Sequence, residues 1–93
     1  MAEELRARLQ RAAAALKEEG AREVYVFGSA AEGDLEAGSD IDMAVSGLPP
    51  RAFFRAMGLA SEAAGRPVDL VDLDEDNPFV SHLKNRGKLH RVA

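Results

Sequence analysis

Apolar residues recur along this 93-residue chain with two alternating periods. Leu5, Leu9, Ala12 and Leu16 fall three to four apart, the spacing that lines one face of a helix, and Gly20 stands where a helix C-terminal glycine belongs. This predicts an amphipathic helix over residues 2–19, with Glu3 and Glu4 near its start to suit the dipole. Arg22 to Phe27 (REVYVF) is short and β-rich, with Val24, Val26 and Phe27 as candidates for the core. Residues 28–39 (GSAAEGDLEAGS) read as a loop of small residues. From Asp40 to Ser46 the pattern alternates again and predicts a second strand, broken at Gly47 to Pro50. Phe53, Met57, Ala60 and Ala64 return to helical spacing and predict a helix over 50–64, capped by Gly65. Pro67 to Leu73 (PVDLVDL) reads as a third strand, 74–77 as an acidic turn, and Phe79, Val80 and Leu83 as a short helix over 78–86. Lys88 to Val92 is a candidate final edge strand.

The order α-β-β-α-β-α-(β) predicts an α/β (α+β) chain, a small mixed sheet with helices packed on it. The long helical link between the second and third strands permits parallel pairing, and the first two can pair antiparallel across the loop. No repeat or linker divides residues 1–93, so they read as a single domain. A chain of this length buries only roughly 60–65% of the surface its unfolded form exposes, so its core is small.

The second strand carries the chemical question. Alternation puts Ile41, Met43 and Val45 on one face and Asp40 and Asp42 together on the other. Their Cα atoms lie roughly 6.5–7 Å apart by strand rise, close enough for the carboxylates to converge on a cation. Oxygen-only ligation suits Mg²⁺, and a cation removes the cost of two like charges on one face. The third strand offers two further acids, Asp69 and Asp72, which face opposite ways because they are an odd number apart. Asp69 is favoured because it interrupts an apolar run between Val68 and Leu70, and it is also a candidate general base. Gly28-Ser29 follows the first strand directly, where glycine allows a turn and close approach of a ligand, and the serine offers a hydroxyl and an N–H.

Composition narrows the choice. The net charge of −4 argues against general binding to a nucleic-acid backbone, and the absence of Cys excludes disulfides and thiolate metal sites. No segment reads as a signal peptide or reaches the ~18 apolar residues of a membrane span, so a soluble cytoplasmic protein is expected. His82 and His90 read as surface residues, and Asp34, Glu36 and Asp74 to Asp76 as solvated loop or turn acids.

Taken together, Gly28-Ser29, Gly33, Ser39-Asp40-Ile41-Asp42 and Asp69 resemble the pattern of the minimal nucleotidyltransferase (MNT) family in the DNA polymerase β-like superfamily. The resemblance runs from about Val24 to Leu73. It implies a polymerase β-like fold in which Asp40 and Asp42 bind two Mg²⁺ ions and Asp69 completes the triad. It also implies nucleotide-binding positions at Gly28, Ser29 and Ser39, the first two holding the terminal phosphates. The activity implied is transfer of a nucleotidyl group, AMP from ATP, to a hydroxyl. Small members of this kind look like antitoxins paired with HEPN-type RNase toxins, which implies a toxin tyrosine as acceptor and a protein partner, with homo- or hetero-oligomers open. The loop departs from the family's common Gly-Ser-Arg-Ala-Arg-Gly at Ala30 and Glu32, which replace both arginines. That departure supports a second expectation, a nucleotidyltransferase-fold module that neutralises its partner by binding. A third, small-molecule nucleotidylation, requires a cleft that this chain builds only as an oligomer.

Overall fold

The computed structural model describes residues 3–33 and 40–93. Helix α1 spans Glu3–Glu18, strand β1 Glu23–Val26, helix α2 Gly28–Ala31 and strand β2 Ile41–Ser46. A 3₁₀ turn, Pro50–Ala52, leads into helix α3, Phe53–Ala64. Strand β3, Val68–Asp72, helix α4, Pro78–Asn85, and strand β4, His90–Arg91, complete the order. The expected α/β (α+β) architecture and the α-β-β-α-β-α-β succession are both present, with one addition: the first turn of the predicted loop is helical, as α2. Four residues carry no periodicity, so pattern could not reveal it.

The four strands form one mixed sheet in the order β3-β2-β1-β4. Strand β1 pairs antiparallel with β2 and with β4, and β2 pairs parallel with β3. Backbone bonds from Val92 N to Val24 O (2.8 Å) and from Val24 N to Ala93 O (2.9 Å) carry the β4 pairing to the end of the chain.

Parity along each strand divides the side chains between two cores. Val24, Val26, Ile41, Met43, Val45, Val68 and Leu70 face α1 and α3. Ala44, Leu73, Val80 and Leu83 form a smaller cluster beneath α4, with Tyr25, Phe27 and Val71 packed against it. Three consecutive residues of β2, Met43 to Val45, are therefore fully buried, because the sheet is covered on both faces there. Each large apolar side chain buried this way contributes about 1.5–3 kcal/mol.

Helix α1 presents Leu5, Leu9, Ala12, Ala13 and Leu16, and α3 presents Ala56, Ala60 and Ala64, so small residues let the two helices approach closely. Both end as their glycines predict. At Gly20 (φ 116°), the N–H of Ala21 bonds Leu16 O and the N–H of Gly20 bonds Lys17 O, the paired bonds of a Schellman cap. Gly65 (φ 70°) closes α3 the same way, with Arg66 N to Ser61 O and Gly65 N to Glu62 O. Arg8 and Arg11 of α1 add side-chain bonds to the last carbonyls of α3, Nη1 to Ala64 O at 2.6 Å and Nε to Ala63 O at 2.9 Å.

Some predicted faces shift. Ala56 takes the central buried place on α3, with Phe53 and Met57 only partly buried at its margin. Phe79 is exposed, while its neighbours Val80 and Leu83 are buried. The start of α4 is fixed by Asn77, whose Oδ1 accepts from Val80 N at 2.9 Å, with Pro78 in the first helical position. Among the described residues no helix is long and apolar enough to cross a membrane.

Candidate functional site

The acids gather on the α4 face of the sheet, where β2 begins beside β3. The register pairs Asp42 with Asp69, so the two side chains are neighbours on one face at the inter-strand spacing of about 4.8 Å. Asp40 stands exposed one residue before β2 begins. Asp72 pairs with Val45 and lies on the opposite parity. Its Oδ1 accepts the N–H of Asp74 at 2.9 Å, so Asp72 serves the turn that follows.

Gly28 closes the site from the other side. The N–H of Phe27 bonds Asp42 O at 3.0 Å, which carries the end of β1 alongside Asp42. The chain then turns at Gly28 with φ 69°, in the left-handed region. A Cβ at this position would lie 2.5 Å from Asp42 Oδ2. Two demands therefore meet at Gly28, the backbone conformation and the nearness of a carboxylate oxygen. Glycine after a strand signals a turn in the sequence, but nothing in the sequence reveals the contact with Asp42.

Gly28 and Ser29 are both exposed and open α2, whose first N–H groups have no partner inside so short a helix. Ala30 behaves differently: its side chain is 1% exposed in the main core. Position 30 thus serves packing, and of the two loop departures only the exposed Glu32 changes the charge at the surface. Gly33 follows with φ 74°. Ser39, like Asp34 and Glu36, lies outside the described residues.

Electrostatics sets Asp42 apart. Partial burial pushes its carboxyl above the ordinary value of 3.8, and the charges of Asp69 and then Asp40 push it further the same way. The ion pairs of Arg8 with Glu4, Arg55 with Glu19 and Arg91 with Glu23 involve other carboxylates. The arrangement is a like-charge cluster with an all-oxygen donor set, the chemistry that a hard divalent cation such as Mg²⁺ takes. Asp42 and Asp69 are placed to hold it, with Asp40 at the rim. Among the described residues no three His, Asp or Glu side chains are yet gathered round one metal position.

Comparison with known proteins accounts for this fold. A family model described as polymerase beta, nucleotidyltransferase, matches residues 10–89. The chain belongs to that family. Its similarity to solved structures is to antitoxin-like nucleotidyltransferases of the MNT kind. A crystal structure of a toxin–antitoxin with AMP-PNP has a TM-score of 0.72 at 26% identity, covering 89% of this chain and 70% of that one. A crystal structure of a mutant toxin–antitoxin MntA-HpeT, with two aspartates two positions apart changed to glutamate, has a TM-score of 0.67 at 25% identity, covering 83% and 67%. No curated protein matches the sequence.

Proposed function

We propose that this chain transfers AMP from ATP to a hydroxyl on a protein partner, a tyrosine of a HEPN-type toxin, and acts as its antitoxin. The observation that carries the reading is the side-by-side placement of Asp42 and Asp69 with Gly28 closed against Asp42. The AMP-PNP in one structural neighbour and the toxin–antitoxin composition of both support nucleotide and partner. The paired aspartate substitutions in the MntA-HpeT mutant have the same spacing as Asp40 and Asp42.

In this reading Asp40, Asp42 and Asp69 would hold two Mg²⁺ ions, which would supply charge neutralisation for the phosphates and the leaving pyrophosphate. Gly28 and Ser29, together with Ser39, bind the nucleotide, the first two through N–H and hydroxyl groups directed to its terminal phosphates. The acceptor oxygen attacks the α-phosphorus in line, a new O–P bond forms, and the bond to pyrophosphate breaks. Asp69 is exposed and free to take the acceptor's proton. The chain's contribution is positioning and charge compensation. We place the protein in the cytoplasm and read residues 1–93 as one functional unit.

A second reading rests on Glu32, an exposed acid immediately before Gly33, where it opposes a triphosphate. In that reading the fold neutralises its partner by contact alone. Incubation with ATP labelled on the α-phosphate, Mg²⁺ and a purified HEPN-type toxin separates the two. Label on a toxin tyrosine, lost in the Asp40→Asn/Asp42→Asn variant, supports transfer. Neutralisation that survives in that variant without label selects contact alone.

A further inference from the structure

The outer edge of the sheet carries a feature that nucleotide transfer does not use. Strand β3 is an edge strand. A groove of about 490 Å³ runs over it, lined by Phe53, Leu70, Val71, Asp72, Glu75 and Phe79 among others. Phe53 and Leu70 belong to the core under α3, whereas Val71 packs under α4. Because residues of both faces line one groove, it crosses the strand edge itself.

The backbone there is open. Leu73 N–H points inward to Val45 O, while Val68 N–H points outward to Ser61 Oγ at 2.9 Å. Successive peptides of a strand alternate, so Leu70 and Asp72 share the outward direction. Among the described residues, the Leu70 N–H and C=O and the Asp72 N–H have no hydrogen-bond partner. Large apolar surface flanks the open edge. Phe79 is 53% exposed, and Phe54 is 79% exposed with its ring edge-on to Phe53 at 5.5 Å. These are the only exposed large hydrophobic side chains among the described residues. An edge with aromatic walls and unused backbone groups is the kind of surface to which an extended segment adds as a strand.

Charge selects the occupant. Asp72 and Glu75 line the groove, and the exposed Asp74 and Asp76 adjoin it. A second copy of this chain would bring the same acids against these, which disfavours edge-to-edge self-pairing. We infer that the β3 edge docks an extended segment of a partner protein in which basic residues alternate with β-branched or aliphatic ones. This surface adjoins the acid site, since Asp69 lies on the same strand, but it uses the outward backbone of Leu70 and Asp72 and does not depend on the transfer reading.

The test uses the full chain without nucleotide or metal, so its outcome is independent of catalysis. The probe is a fluorescent peptide of about six residues alternating Lys or Arg with Val or Ile, the usual length of a strand. Fluorescence anisotropy is expected to show binding that weakens about tenfold with Phe79→Ser and with Glu75→Lys, each a loss of about 1.4 kcal/mol. Both positions are exposed, and each variant is checked for unchanged thermal unfolding before it is compared. Amide exchange at Leu70 and Asp72 is expected to slow on binding, while Val71, whose N–H already faces β2, stays as it was. Absence of binding overturns the inference. So does equal binding of a peptide with Glu in place of its basic residues, or protection outside β3. Sedimentation showing a dimer with Leu70 and Asp72 already protected would assign the edge to a second copy instead.

Discussion

Asp42 carries a cost to stability in one side chain. Burial and two neighbouring carboxylates raise its proton affinity in the folded chain above its ordinary value. The native state therefore binds the proton more tightly than the unfolded state, and stability falls as pH rises from the ordinary aspartate range through the raised value. Above that window the cost is fully present. Asp42→Asn removes it, so metal-free Asp42→Asn is expected to be more stable than the parent at neutral pH, with a flatter pH dependence. Urea unfolding at a series of pH values checks this, and a variant less stable at every pH contradicts it. Gly28 lies against the same carboxylate. Gly28→Ala meets both a left-handed φ and a Cβ 2.5 Å from Asp42 Oδ2, and its expected cost is about 1–3 kcal/mol. Only the backbone part persists once the carboxylate is gone. In a double-mutant cycle, Gly28→Ala is expected to cost less in an Asp42→Ala background than in the parent.

At the scale of elements, what the sequence disclosed follows from how many residues each signal spans. The period-2 and period-3.6 runs of the strands and of α1 and α3 are long enough to place them, and Gly20 and Gly65 mark the helix ends because each must adopt positive φ. Parity put Asp40 and Asp42 on one side and separated Asp69 from Asp72, but it could not say which of those two meets Asp42. That required the β2–β3 register, a property of two strands distant in sequence. The spacing of Phe79 and Leu83 placed the helix over 78–86 but not its buried face, because a spacing of four fits two adjacent helix faces equally well, and Phe79 is exposed. The bonds between α1 and α3 were invisible for the same reason as the register. Arg8 lies 56 positions from the Ala64 carbonyl that it caps. Arg8 is partly buried and its bond is charge-assisted, so Arg8→Met is expected to cost about 1.5–3 kcal/mol. Arg11 is exposed, and Arg11→Met is expected to cost less than about 1 kcal/mol. Urea unfolding of the two variants side by side tests the ranking, and equal losses would remove burial as its cause.

Across the whole molecule, the sheet separates the part that holds the fold together from the part that carries the clustered acids. Most of the apolar burial lies between the sheet and α1 and α3, while the acids occupy the face shared with the smaller α4 cluster. Substitutions among the acids should therefore leave the main core intact, and their effects should be readable as ligand linkage. A ligand that binds only the native state adds about 2.7 kcal/mol at one hundred times its dissociation constant. For a domain of this size that corresponds to a rise in Tm on the order of 10–20 °C. If the acids are a cation and nucleotide site, the order of stabilities must invert. Without Mg²⁺ and ATP, Asp42→Asn is the more stable form, because a repelled charge has been removed. With both present, the parent gains the linkage term and the variant loses most of it, so the parent melts higher. Thermal unfolding of parent and Asp42→Asn, each with and without Mg²⁺ and ATP, tests this with four curves. A crossing of the order assigns the cost of the paired acids to ligand binding. Parallel shifts in both proteins would place the nucleotide away from Asp42 and leave the charge cluster without a ligand.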